Sequence, residues 1–183
     1  MNPYSLPRSL PVAGQEHSIH ADFREVLQIL GYLGDETLPE YLRWHVALGL
    51  FYDEVPLDVT AAAQALSEFL RCGEPETPGH KLLDWQQDAV MILADVNRAA
   101  GLEVRSQPFV HWWTFLGYFH AIGPGQLSTV VGIRQKLRRG QKLEDWEQQF
   151  YRENRGRVDL KRPETAADAA EKQRLLKLLG EEN

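Results

Sequence analysis

At 183 residues, with 43% hydrophobic and 25% charged side chains, the chain is long enough to bury its own core and too apolar to be disordered throughout. Its single cysteine, Cys72, excludes an internal disulfide and a cysteine-based zinc site, and it suits a reducing cytoplasm. The net charge of −6 is unevenly spread, with a formal −9 over residues 1–129 and +5 over residues 130–162, which fits either electrostatic steering toward a partner or a solvated helix pair.

Met1 to Ser5 offer no basic region followed by an apolar core, so no signal peptide is expected. Pro3, Pro7 and Pro11 disfavour helix at the start of the chain. Ser9–Val12 and Glu16–Ile19, flanking Ala13-Gly14-Gln15, predict a short hairpin that must pack on a larger body to persist. Asp22 with Glu25 has capping-box spacing, and the apolar stripe from Val26 to Leu33 predicts a helix that stops at Gly34. Thr37-Leu38-Pro39-Glu40 repeats the start signal, and Leu42, Val46 and Leu50 mark the expected inner face of the second helix. A third, alanine-rich helix is predicted over 58–71, anchored by Leu66, Phe69 and Leu70. Gly73 to Lys81, with two prolines and two glycines, reads as a loop.

Asp84 with Gln87 predicts a helix over 84–100, with Trp85, Ala89, Ile92, Leu93 and Val96 on one side and Gly101 at its end. The next helix is predicted from Pro108 to Ile122. Its apolar residues point in nearly every direction, as in a central buried helix. This stretch contains two histidines and is too short to cross about 30 Å of hydrocarbon. Residues 126–139 predict a helix with Leu127, Val130, Val131, Ile133 and Leu137 inward and a basic last turn, which suits the negative end of the helix dipole. Residues 143–155 predict a charged amphipathic helix carrying Leu143, Trp146, Phe150 and Tyr151. The expected organisation is a single mainly α, multi-helix domain with a central aromatic helix: an arm and hairpin over 1–20, the helical domain over 21–160, and a charged helix or tail over 161–183.

No motif of catalysis emerges. Gly123-Pro124-Gly125 lacks the lysine and hydroxyl residue of a phosphate loop, and no Gly-x-Ser-x-Gly or His-Glu-x-x-His is present. Asp84, Asp88 and Asp95 share a helical face and could hold a hard cation, but a cap plus a solvated acidic edge explains them as well. His111 and His120 fall on opposite faces of one helix, and His45 and His80 stand alone, so no metal or catalytic cluster is expected. Trp112 and Trp113 could stack on a base or sugar, or pack in the core. The basic residues Arg134, Lys136, Arg138, Arg139 and Lys142 could bind phosphates, but the interspersed acids and a pI near 5.5 favour a protein contact or a solvated face.

Several segments together carry a resemblance. They are Met1-Asn2-Pro3-Tyr4-Ser5-Leu6-Pro7, Ala21-Asp22-Phe23-Arg24, Leu83-Asp84-Trp85-Gln86-Gln87-Asp88 and His111-Trp112-Trp113-Thr114-Phe115-Leu116-Gly117. Further on come Ile133-Arg134, Lys142-Leu143-Glu144-Asp145-Trp146-Glu147, Phe150-Tyr151-Arg152-Glu153-Asn154 and Val158-Asp159-Leu160. In this order, over about residues 1–162, they resemble the bacteriophage gene-product-fifteen family of long-tailed phages and prophages. The resemblance implies a role in tail morphogenesis, because genes of that family typically lie between those for the tail-tube and tape-measure proteins. It implies a tail assembly chaperone in the host cytoplasm, with the tape-measure protein and possibly the tail-tube protein as partners. The alternative is a tail completion or connector subunit retained in the virion. The family brings no catalytic residues, so neither enzyme activity nor a cofactor is expected. The basic run from Arg134 to Lys142 is the candidate partner contact.

Overall fold

A computed structural model describes residues 4–74 and 81–161 of the chain. Among them the fold is mainly α, with eight α-helices and one two-stranded antiparallel sheet. Strand β1 (Ser9–Val12) meets β2 (Gln15–Ser18) through Ala13 and Gly14, both at positive φ, +49° and +82°. Positive φ at both turn residues is the signature of a type I′ hairpin, whose twist matches that of the strands. The second strand therefore begins one residue before the expected Glu16, and Gln15 pairs with Val12.

Helix α1 (Phe23–Leu33) starts where the sequence predicts, with the Asp22 carboxylate accepting from the Arg24 amide at 3.0 Å. Glu25 does not complete a capping box and instead faces His20 at 3.4 Å. In α2 (Glu40–Phe51) the expected inner face is corrected. Ala47, Leu48 and Phe51 are buried, whereas Leu42, Val46 and Leu50 are only partly covered. The buried stripe follows the 3.6-residue period from Trp44 and packs on α1. Helix α3 (Val59–Leu70) is capped by Asp58, which accepts from the Ala61 amide at 3.0 Å, and it buries Leu66 and Phe69. Of the loop predicted over 73–81, residues 75–80 lie outside the described residues.

Helix α4 (Ala89–Ala100) begins later than Asp84. The Asp84 carboxylate accepts from the Gln86 and Gln87 amides at 2.9 and 2.8 Å, and this closes a separate turn ahead of the helix. Gly101, at φ +69°, ends α4 in the left-handed region. A 3-10 turn over Val104–Ser106 follows. Helix α5 (Trp112–His120) also starts later than the expected Pro108. The chain enters α5 through an isolated antiparallel bridge between His111 and Asp22 instead, in which the Phe23 amide donates to Val110 O and the Trp112 amide to Ala21 O. The first half of α5 is buried; Tyr118 and Phe119 are partly covered and His120 is exposed, so burial is not all-round as expected.

Helix α6 (Gln126–Arg138) buries Leu127, Val130 and Ile133, but Leu137 is 38% exposed, and the polar Arg134 is buried in the same stripe. Helix α7 (Asp145–Glu153) buries Glu147 and exposes Trp146, and the short α8 (Arg155–Val158) buries Val158. The charged helix or tail expected over 161–183 lies outside the described residues from residue 162 onward. Aromatic rings join α1 to α5: Phe23 of α1 stacks on Phe115 of α5 at 4.6 Å between centroids, and within α5 Trp112 stacks on Phe115 at 5.8 Å. No helix among the described residues is long and apolar enough to cross a membrane.

Candidate partner-binding surfaces

The segment before α1 and the segment before α5 hold each other. The Asp22 carboxylate caps α1, accepts from the Val110 amide at 3.0 Å and pairs with the Arg24 guanidinium at 3.0 Å. Arg24 in turn donates to the carbonyls of Arg105 and Gln107, at 3.2 and 2.5 Å, and lies over the Phe23 ring at 4.8 Å. His111 is buried and caps α5: its Nδ1 accepts from the Trp113 amide at 3.1 Å, and Nε2 lies 3.0 Å from Pro7 O. An accepting Nδ1 puts the ring proton on Nε2, which donates to that carbonyl. Burial pushes the histidine below its usual range and the nearby Arg8 charge acts the same way, against the Pro7 carbonyl, which favours the protonated ring.

Trp112 and Trp113 are core residues. Their indole N–H groups donate to Leu70 O at 3.0 Å and Phe69 O at 2.9 Å. These carbonyls belong to the last turn of α3, where Phe69 O also accepts from the Cys72 amide at 3.0 Å, and the tryptophans tie the end of α3 to the start of α5. Neither ring is free to stack on a base or sugar.

This frame leaves an apolar cleft of about 380 Å³ between α1, the Trp85 turn, α4 and α5. Phe23, Leu27, Trp85, Ala89, Ile92, Leu93 and Phe115 line it, with Arg24 and Arg105 completing the lining. Each arginine is tied to a neighbouring carboxylate, Asp22 or Glu103. The cleft offers apolar surface with no acid or base of its own to move a proton, and suits insertion of apolar side chains. The periodicity of Trp85, Ala89, Ile92 and Leu93 places them on one side of a helix, and part of that side opens to solvent instead of being sealed.

The acidic face predicted for Asp84, Asp88 and Asp95 is not a solvated edge. Asp88 and Asp95 are buried, and only Asp84 serves as a cap. The Asp95 carboxylate accepts from the Leu127 amide at 3.3 Å, in the first turn of α6, and pairs with Arg98 at 2.9 Å. Gly125 runs so close to this pair that a Cβ there would lie 2.9 Å from Asp95 Oδ1 and 2.8 Å from the Arg98 guanidinium. Among the described residues no group of three or more His, Cys, Asp or Glu is arranged to hold a metal ion.

The basic run divides in the same way. Arg134 is buried against Asp88 and cannot be part of a contact surface. Lys136 is committed to the buried Glu147 at 2.7 Å, and its ammonium holds that carboxyl below the usual range. Arg138, Arg139 and Lys142 are exposed and make no ion pair among the described residues, and Leu137 and Trp146, near them in sequence, are exposed too. His45 and His120 are exposed and separate from any such group, and His80 lies outside the described residues.

The profile of a family described as "Bacteriophage Gp15 protein" matches residues 4–160. No curated protein and no solved structure matches the chain.

Proposed function

Because the chain belongs to the bacteriophage Gp15 family, we propose that it acts in phage tail morphogenesis as an assembly chaperone for the tape-measure protein, by binding and not by catalysis. The observation that supports this reading is the open apolar cleft of about 380 Å³. A long client helix awaiting its tube exposes apolar side chains at intervals of three and four residues. A cleft walled by helices receives such side chains, covers them and releases them when tube subunits compete. The proposed site of action is the cytoplasm of the infected host, where tail parts are made, and the tail-tube protein is a second proposed partner.

Co-expression with the products of neighbouring genes tests the proposal. An otherwise insoluble tape-measure protein is expected to stay soluble and to co-purify with this chain. If the chain retains no long helical neighbour and appears instead in purified virions, it is a tail completion or connector subunit, and the chaperone reading fails.

A further inference from the structure

The loop between α2 and α3 presents apolar side chains where a soluble surface has no use for them. Val55, Leu57 and Val59 are 45%, 103% and 53% exposed, and Asp53, Glu54 and Asp58 beside them are exposed too. The loop is held in place. Pro56 is buried, the Asp53 amide donates to Ser18 O at 3.2 Å, and the buried Tyr52 hydroxyl donates to Ala62 O at 3.1 Å. A preformed apolar knob loses little entropy when it docks.

The end of α6 and the start of α7 carry the complementary character. Leu137 and Trp146, 38% and 59% exposed, neighbour in sequence the two members of the Lys136–Glu147 ion pair that joins these helices. Arg138, Arg139 and Lys142 add three cations with no ion pair among the described residues. Scattered exposed apolar residues are ordinary, but an acidic apolar knob and a basic apolar patch on one chain are matched in both polarity and charge. Among the described residues no hydrogen bond or ion pair links the two. Helices α2 and α3 pack on α1 and β1, whereas α6 and α7 pack on α4 and α8.

We infer that the Asp53–Val59 loop of one molecule seats on the Leu137–Trp146 patch of a second copy of this chain. Two different surfaces make the contact heterologous, so it propagates from copy to copy as a ring or an open filament. The contact goes beyond the chaperone reading and does not depend on the client.

Sedimentation velocity of the purified chain and of two variants tests this. Glu54→Lys/Leu57→Lys alters only the loop, and Arg138→Glu/Arg139→Glu alters only the patch. All four positions are exposed, and far-UV circular dichroism verifies that the variants keep the fold. The natural chain is expected to sediment above the monomer, with assembly weakening as salt rises. Each variant alone is expected to be monomeric. An equimolar mixture is expected to restore a species of twice the monomer mass, because each variant supplies the surface the other lacks. A natural chain that is monomeric throughout, variants that still assemble, or a mixture that stays monomeric would each overturn the inference. Trp146→Ala gives a second, uncharged route to the same loss of assembly.

Discussion

Arg134 and Asp88 meet through two parallel hydrogen bonds, Nη1 to Oδ2 at 2.6 Å and Nη2 to Oδ1 at 2.9 Å, with both side chains almost sealed from solvent. The other guanidinium N–H groups reach Val158 O at 2.6 Å, Leu82 O at 2.9 Å and Arg157 O at 2.6 Å. All five donors are thereby used. One side chain thus fixes α6, the approach to α4 and the end of α8 together, and a point charge such as lysine could not reproduce the fork.

Removing one partner strands the other. Arg134→Met is expected to lower stability by about 3–5 kcal/mol, because Asp88 stays buried without its cation. The double change Asp88→Asn/Arg134→Met is expected to cost less than Arg134→Met alone. Urea unfolding of the three proteins measures this. Equal losses in the single and double variants would mean that the carbonyl contacts of Arg134, and not its pairing with Asp88, carry the effect.

The paired tryptophans predict a second, smaller effect. Trp113→Phe keeps most of the ring packing but leaves Phe69 O without the indole donor that stands 2.9 Å away. Phe69 O keeps the Cys72 amide at 3.0 Å, so the cost is that of one net hydrogen bond, about 0.5–1.5 kcal/mol, read as a lowered thermal midpoint. A Trp113→Phe protein that melts with the natural chain would show that packing alone matters there.

What the sequence discloses and what it hides divides by range. Asp22 and Asp58 cap helices through amides two and three residues away, and Gly101 ends one through its own φ, so these boundaries are readable locally. Arg134 sits in an apolar stripe because Asp88, 46 positions earlier, neutralises it, and no local pattern reveals that. The same distance hides the fate of Asp88 and Asp95. The inner face of α2 is misjudged because large aliphatic residues four apart look like a stripe, while the buried surface uses the small Ala47 and the terminal Phe51. The cleft is half legible: periodicity groups Trp85, Ala89, Ile92 and Leu93, but only packing shows that this side is left open.

His111 predicts a pH dependence. Its pKa is lowered in the fold, chiefly by burial, so the unfolded chain binds the proton more readily. Its contribution to stability is therefore full above the unfolded value of roughly 6.5, and it is lost as pH falls from there through the folded pKa. Protonation of Nδ1 also removes the acceptor for the Trp113 amide. His111→Asn retains a capping side chain and does not titrate. The difference in unfolding free energy between the natural chain and this variant is expected to shrink as pH falls from 7 toward 5, by about 1.4 kcal/mol for each unit separating the two pKa values. A difference independent of pH would refute this assignment of the ring's protonation.

The cleft can be filled without substituting the Arg134–Asp88 pair or Trp112 and Trp113. Ala89 faces it from the first turn of α4 and is partly exposed, so a larger side chain there enters open space and not packed core. Ala89→Phe is expected to change stability by no more than about 1 kcal/mol, since the added ring covers apolar walls without displacing them. The same ring occupies the volume a client side chain would take. Retention of the tape-measure protein in the co-expression assay is then expected to fall roughly tenfold, the effect of losing about 1.4 kcal/mol of binding. Fully retained client with a folded Ala89→Phe protein would move the client contact away from the cleft, leaving the exposed cations Arg138, Arg139 and Lys142 to carry it. Charge reversal at those positions would then weaken retention where filling the cleft, or breaking self-association with Glu54→Lys/Leu57→Lys, did not, so the three variants together locate the surface.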